Sequence, residues 1–176
     1  QQMDELIPYL STSCDRRFTF IPALDRIELL KEISEGRIDL AYLDVSAFLH
    51  VEKSGARRII LPQAEKTASS VILTSNRSGT TSVSGLKGSE FLCTHQLSTL
   101  GHLVPLRHLT RKGVNNGTPG LTVRFAMGAR ELCRMLTEQQ AEAGAIPNAD
   151  WDMLAEGFPD LKVLATTAPV PWLPAP

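Results

Sequence analysis

Two adjacent hydroxyls, Ser98 and Thr99, open the helix-like run Leu103–Lys112, just after the strand-like run Glu90–Thr94. The first turn of a helix presents N–H groups that no intrahelical carbonyl takes, and it carries a partial positive charge. Ser98 and Thr99 either cap those groups or share them with a bound anion. Gly101 extends the row of backbone donors, and His102 behind it can add a hydrogen bond or a pH-dependent positive charge beside an anion. Backbone and side-chain donors converge on a small ligand here and nowhere else in the chain. The alternative is an ordinary helix cap.

Other chemistry is less well supplied. Of the four histidines, His50, His95, His102 and His108, the last two are six residues apart, a poor spacing for two ligands on one helical face, so no metal site is expected. Asp39 and Asp44 flank a strand-like run and form a pair that could do acid–base work. Asp39 reads more simply as structural, and Asp44 as the cap of the next helix or a contact for a ligand amine. There is no G-x-S-x-G elbow, no G-x-G-x-x-G and no Walker loop, and no cofactor is implied. Cys14, Cys93 and Cys133 have no C-x-x-C spacing, which argues against zinc. The odd number fits no complete disulfide framework, and a bond between Cys93 and Cys133 stays open. Trp151 and Trp172 read as packing residues, with contact to the hinge or a partner as the alternative for Trp172.

The elements that must position the Ser-Thr turn follow from periodicity. Helices are expected over Met3–Ser11, after Asp25 as far as Gly36, over Val45–Ser54, Leu100–Lys112, Ala129–Glu138 and Asp150–Ala155. Strands are expected over Arg17–Pro22, Ile38–Leu43, Arg58–Pro62, Ser69–Asn76, Glu90–Thr94, Leu121–Phe125, Ala141–Ile146 and Leu161–Ala165. The polar, glycine-rich stretch Arg77–Gly88 reads as a turn region between two lobes. The proline-rich end, Ala168–Pro176, is extended. Alternating strands and helices imply an α/β fold with mainly parallel sheets, one in each lobe. Ligands bind beyond the carboxyl ends of strands in such sheets, and the Ser98-Thr99 turn lies at one of these ends.

Several segments resemble, in order, those of periplasmic solute-binding proteins. Ser34-Glu35-Gly36-Arg37-Ile38-Asp39-Leu40-Ala41-Tyr42 is similar to their helix, Gly, x, Ile/Val-Asp-Leu-Ala step. Ser70-Val71-Ile72-Leu73 resembles their hinge strand, and Leu86-Lys87-Gly88 the start of their second lobe. Ser98-Thr99-Leu100-Gly101-His102-Leu103-Val104-Pro105 resembles the Ser-Thr-Ser-Gly-Tyr-x-x-Pro motif of the phosphonate/phosphite-binding branch. Ala141–Ile146 and Val163–Pro171 resemble the later strand steps, so the likeness runs from about Leu6 to Pro174.

The resemblance implies a type 2 periplasmic-binding-protein fold of two lobes, 1–76 plus 167–176 and 77–166, with a hinge and a ligand cleft. It implies that Ser98 and Thr99 hold an oxyanion at the helix N-terminus, with Tyr42, Ser69, Ser70, Gly101 and His102 completing the ligand-binding set. Leu100 stands where the branch has a third hydroxyl, Ala68 where it often has an aromatic residue, and Gly128-Ala129 where it often has a histidine. These departures make the cleft less aromatic and less cationic.

The chain is 176 residues long, 43% hydrophobic and 21% charged, with a net charge of −1, and it has no Lys/Arg block that would mark a nucleic-acid surface. No apolar run approaches the ~18 residues of a membrane helix. Gln1-Gln2-Met3-Asp4 does not read as a signal peptide, and the mature or trimmed end left after one is the alternative. The expectation is a non-catalytic, monomeric, extracytoplasmic domain that captures a small anion for the membrane permease of an ABC transporter. The alternatives are a periplasmic input domain of a sensor histidine kinase and an enzyme on the same fold.

Overall fold

The computed structural model describes residues 2–22, 25–57, 67–117 and 120–171. The chain divides into two compact units, 1–41 and 42–176.

The first unit holds helices α1 (Gln2–Ser13) and α2 (Arg26–Ser34). Asp25 starts α2: its carboxylate accepts from the Ile27 N–H at 2.7 Å and the Glu28 N–H at 3.0 Å. The chain leaves α2 through Gly36 at φ +73°, a left-handed conformation that glycine adopts freely. The strand expected over 17–22 does not form. Among the described residues no second strand lies within the unit to pair with it, so no ladder satisfies its backbone. The Phe18 N–H donates instead to Ser11 Oγ at 3.2 Å, and Phe20 and Ile21 stay exposed. The run Ile38–Leu43, expected as a buried strand, is also unpaired, with Leu40 and Tyr42 exposed. Apolar composition makes a strand only where a neighbour offers a free edge. The strand expected over 58–62 lies outside the described residues. The sheet expected for the first lobe is therefore absent among the described residues.

The second unit begins with α3 (Val45–Val51), capped by the Asp44 carboxylate, which accepts from the Ala47 N–H at 2.9 Å. A five-stranded sheet follows, built from β2 (Ser70–Ser75), β3 (Glu90–Cys93), β4 (Thr122–Phe125), β5 (Ala143–Pro147) and β6 (Leu161–Thr166). Its order is β4-β3-β5-β2-β6. β3 runs parallel to β4 and β5, and β2 runs antiparallel to β5 and β6. Four strands thus share a direction and β2 opposes them. The short strands β1 (Thr67–Ala68) and β7 (Val170–Pro171) pair antiparallel as a separate ribbon.

Alternation along the strands sorts the core into two faces. Val71, Leu73, Leu92 and Ile146 pack with Leu132, Cys133, Met135 and Leu136 of α5 (Ala129–Thr137). Ile72, Phe91, Cys93 and Ala145 pack with Leu109 of α4 (Val104–Arg111). Gly144 explains the small residues of β5: a Cβ there would lie 3.0 Å from Leu132 Cδ2 and from Leu92 Cβ. Helix α6 (Asn148–Leu154) adds Trp151 to the α5 face. Cys93 and Cys133 belong to opposite faces of the sheet and are both free thiols, which excludes the bond left open by the sequence. Burial pushes the Cys93 thiol up to about 12 and the Cys133 thiol up to about 11.

Candidate functional site

The carboxyl ends of β3, β4 and β5 meet the amino end of β2 along one edge of the sheet. Cys93 is level with Phe125 and Ala145, and Pro147 is level with Ser70. β3 leads into α4 on one face, and β4 leads into α5 on the other. β4 lies on one side of β3, while β5, the strand after α5, lies on the other. The connections therefore part at the carboxyl ends of β3 and β4. Open α/β sheets bind ligands at such a switch point.

The Ser-Thr turn occupies it. Residues Thr99–Leu103 form one turn of π-helix that runs directly into α4. The Leu103 N–H donates to Ser98 O at 3.1 Å, and the Val104 N–H donates to Thr99 O. Such wide turns occur often at functional sites. Ser98 caps the turn, its Oγ accepting from the Gly101 N–H at 2.9 Å. A hydroxyl keeps its own proton while it accepts, so Ser98 can cap and still donate to an anion. Among the described residues no backbone carbonyl accepts from the N–H of Thr99 or Leu100. Thr99 Oγ1 is buried and has no hydrogen-bond partner. An orphaned buried hydroxyl costs about 1–3 kcal/mol, which a bound acceptor would recover.

Gly101 is required by close approach. A Cβ there would overlap Thr94 Oγ1 and fall 2.8 Å from Ser98 Oγ. Its carbonyl accepts from the Thr94 N–H at 3.1 Å, which ties the turn to the end of β3. His102 Nδ1 lies 2.6 Å from Gln96 O. A carbonyl only accepts, so Nδ1 is the donor in this contact. The His102 ring meets Phe125 edge-on at 5.1 Å.

The other sequence-selected residues fall into different settings. Ser70 is fully buried, and its hydroxyl donates to Leu100 O at 2.6 Å. That bond fixes the turn from below and uses the Ser70 proton. Ser69 is half-buried, and its carbonyl accepts from the Asn148 N–H at 2.9 Å. Tyr42 is 70% exposed, and no hydrogen bond or ring contact joins it to the turn. Sequence reasoning missed three supports. Ser46 Oγ, on α3, donates to Leu97 O and anchors the segment ahead of the turn. Thr167 Oγ1 accepts from the Ser70 N–H at 2.9 Å, and the Thr167 N–H donates back to Ser70 O at 2.9 Å. Phe125 flanks His102. A hydroxyl two residues after a capping Asp was the only signal for Ser46, and none marked Thr167 or Phe125. Among the described residues no group of three or more His, Cys, Asp or Glu could hold a metal ion.

A concavity of about 300 Å³ lies not at the turn but at the opposite edge of the sheet, lined by residues that include Ser75, Ser78, Glu90, Gln140 and Glu142. Glu142 accepts from Ser78 Oγ at 2.5 Å and from Thr80 Oγ1, and these bonds hold its carboxyl below the usual range. It fastens the connection between β2 and β3 to the sheet.

The family model for periplasmic substrate-binding proteins of phosphonate ABC transporters matches residues 1–175. No curated protein matches the sequence. Among solved structures, PhnD1 from Prochlorococcus marinus in complex with methylphosphonate superposes with a TM-score of 0.81 at 18% identity, over 95% of this chain and 66% of that one. XAC2383 from Xanthomonas citri, bound to chloride ion, gives 0.76 at 21% identity, over 96% and 66%. The alkanesulfonate-binding protein SsuA from Xanthomonas axonopodis pv. citri, bound to MOPS, gives 0.64 at 18% identity, over 94% and 55%. At these identities the superpositions show the fold, that of type 2 periplasmic binding proteins. The chain spans just under two thirds of the length of the first two neighbours.

Proposed function

The chain belongs to the family of periplasmic substrate-binding proteins of phosphonate ABC transporters, and on that premise we propose that it captures a small oxyanion and presents it unchanged to a membrane permease. The observation that carries this reading is the π turn at the switch point. There, two N–H groups that no backbone carbonyl takes among the described residues and an orphaned buried hydroxyl lie together at the positive end of a helix. A tetrahedral oxyanion supplies the acceptors all three lack. Ser98 adds its proton, Gly101 lets the backbone close in, and Ser70 holds the turn through Leu100 O. His102 stands at the rim, and Tyr42 and Ser69 are assigned to the ligand's far side by resemblance alone.

In this reading the two lobes meet at two crossings, from β1 into β2 and from β6 into β7. The β1–β7 ribbon and the reciprocal Ser70–Thr167 bonds lie side by side there, as a two-strand hinge requires. β2, assigned to the first lobe by the sequence reading, pairs on both sides with strands of the second. No helix among the described residues is long and apolar enough to cross a membrane. Family membership implies an extracytoplasmic location.

The test is a thermal-shift screen of phosphate, phosphite, phosphonates, sulfonates, carboxylates and amines. An oxyanion at 100 times its Kd should stabilise the protein by about 2.7 kcal/mol. A response to amines with none to any oxyanion would contradict the assignment.

A further inference from the structure

We propose that Pro105 is a positioning residue for the oxyanion: it keeps the turn in its π register, and that register leaves the His102 N–H open as a further backbone donor. The proposal rests on the oxyanion reading above. Pro105 is buried near the start of α4, which continues the π turn without a break. Counted from Thr99, where the helical run begins, it is an interior residue. A proline inside an α-helix removes the hydrogen bond to the carbonyl four residues back, and its ring collides with that carbonyl. In this chain that carbonyl is the one of Gly101.

Widening the turn relieves that collision. Ser98 O accepts from the Leu103 N–H and Thr99 O from the Val104 N–H, each five residues on. Gly101 O is turned to the Thr94 N–H at 3.1 Å. The wide register in its turn leaves Leu100 O facing the proline, which has no N–H to give. The buried Ser70 hydroxyl donates to it at 2.6 Å. Each carbonyl that Pro105 orphans, Gly101 O in an α register and Leu100 O in the π register, therefore has a partner outside the helix.

The register decides which N–H groups face the ligand. With Ser98 as the cap, an α turn would give the His102 N–H to Ser98 O. Here Leu103 takes that acceptor. The His102 N–H joins those of Thr99 and Leu100 at the open end of the turn, while the Gly101 N–H stays with Ser98 Oγ. Helical N–H groups all point toward the N-terminus, so the added donor serves the same anion.

The test pairs amide hydrogen exchange, followed by NMR, with calorimetric titration of the full chain with methylphosphonate. Without added anion the His102 amide should exchange at least about tenfold faster than that of Leu103, and methylphosphonate should slow it. Pro105→Ala removes the ring and supplies an N–H, so it should fold normally and close the turn to the α register. The His102 amide should then be protected without ligand. Methylphosphonate affinity should fall about tenfold, the worth of one hydrogen bond to a charged group. Ser70→Ala leaves Leu100 O unpaired in the π register alone and should move both readouts the same way, with Ser70→Thr restoring them. Slow His102 exchange in the anion-free parent, or unchanged exchange in Pro105→Ala, would overturn the role of Pro105. A protected His102 amide with undiminished affinity would overturn the added donor and leave the oxyanion reading standing. Failure of both methylphosphonate and inorganic phosphate to bind the parent would overturn the two together.

Discussion

Ser98 and Thr99 are adjacent hydroxyls with opposite standing in the structure. Ser98 is in use, capping Gly101, and Thr99 is idle, with Oγ1 buried and unpartnered. Removing an idle buried hydroxyl while keeping its shape should relieve a penalty rather than incur one. Thr99→Val is therefore expected to leave the ligand-free protein as stable as the parent, or more stable by up to about 1 kcal/mol. It should also weaken oxyanion binding by about tenfold, the worth of one hydrogen bond to a charged group. Denaturant melts and calorimetry on the same variant check both halves. A loss of stability with unchanged affinity would make Thr99 a structural residue. The residue type at position 101 is as constrained as the hydroxyls, because any side chain there meets Thr94 and Ser98.

At the scale of elements, the turn is held from three directions: by Thr94 at the end of β3, by Ser70 at the start of β2 and by Ser46 on α3. The opposite edge of the sheet is held by Glu142, which joins the Ser78–Thr80 stretch to β5. Those hydroxyl bonds depress its folded-state pKa relative to the unfolded chain. The stability they give is present above the unfolded carboxylate value and is lost as pH falls through the depressed folded value. Glu142→Gln should lower stability near neutrality and flatten the acid limb of a Tm-against-pH curve. An unchanged acid limb would mean that the latch carries no charge-dependent stability.

Much of this level was legible in the sequence. The caps at Asp25, Asp44 and Ser98, the strands from Ser70 onward, and helices α4 to α6 follow from side-chain chemistry and periodicity. The runs 17–22 and 38–43 misled because strand composition says nothing of whether a partner edge exists. The reversed direction of β2 was invisible, since all six of its residues are buried and such a strand reads the same either way. The Ser-Thr turn was visible by type. The role of Ser70 beneath the turn depends on a contact with Leu100, 30 residues away, which no local pattern encodes.

At the scale of the whole molecule, the family and the fold agree with the order of motifs along the chain. An α/β sheet has one switch-point edge, and here it coincides with the segment that resembles the family's anion-binding motif. The claim that remains central is that the backbone of this turn is what the ligand touches. The most direct measurement is an amide chemical-shift titration of the isotope-labelled protein with a phosphonate. The largest perturbations should fall on the N–H groups of Thr99, Leu100 and Gly101, with little change at Ser78, Glu90 and Gln140 on the opposite edge. Saturable binding that leaves residues 98–102 unperturbed and shifts another region would contradict the account.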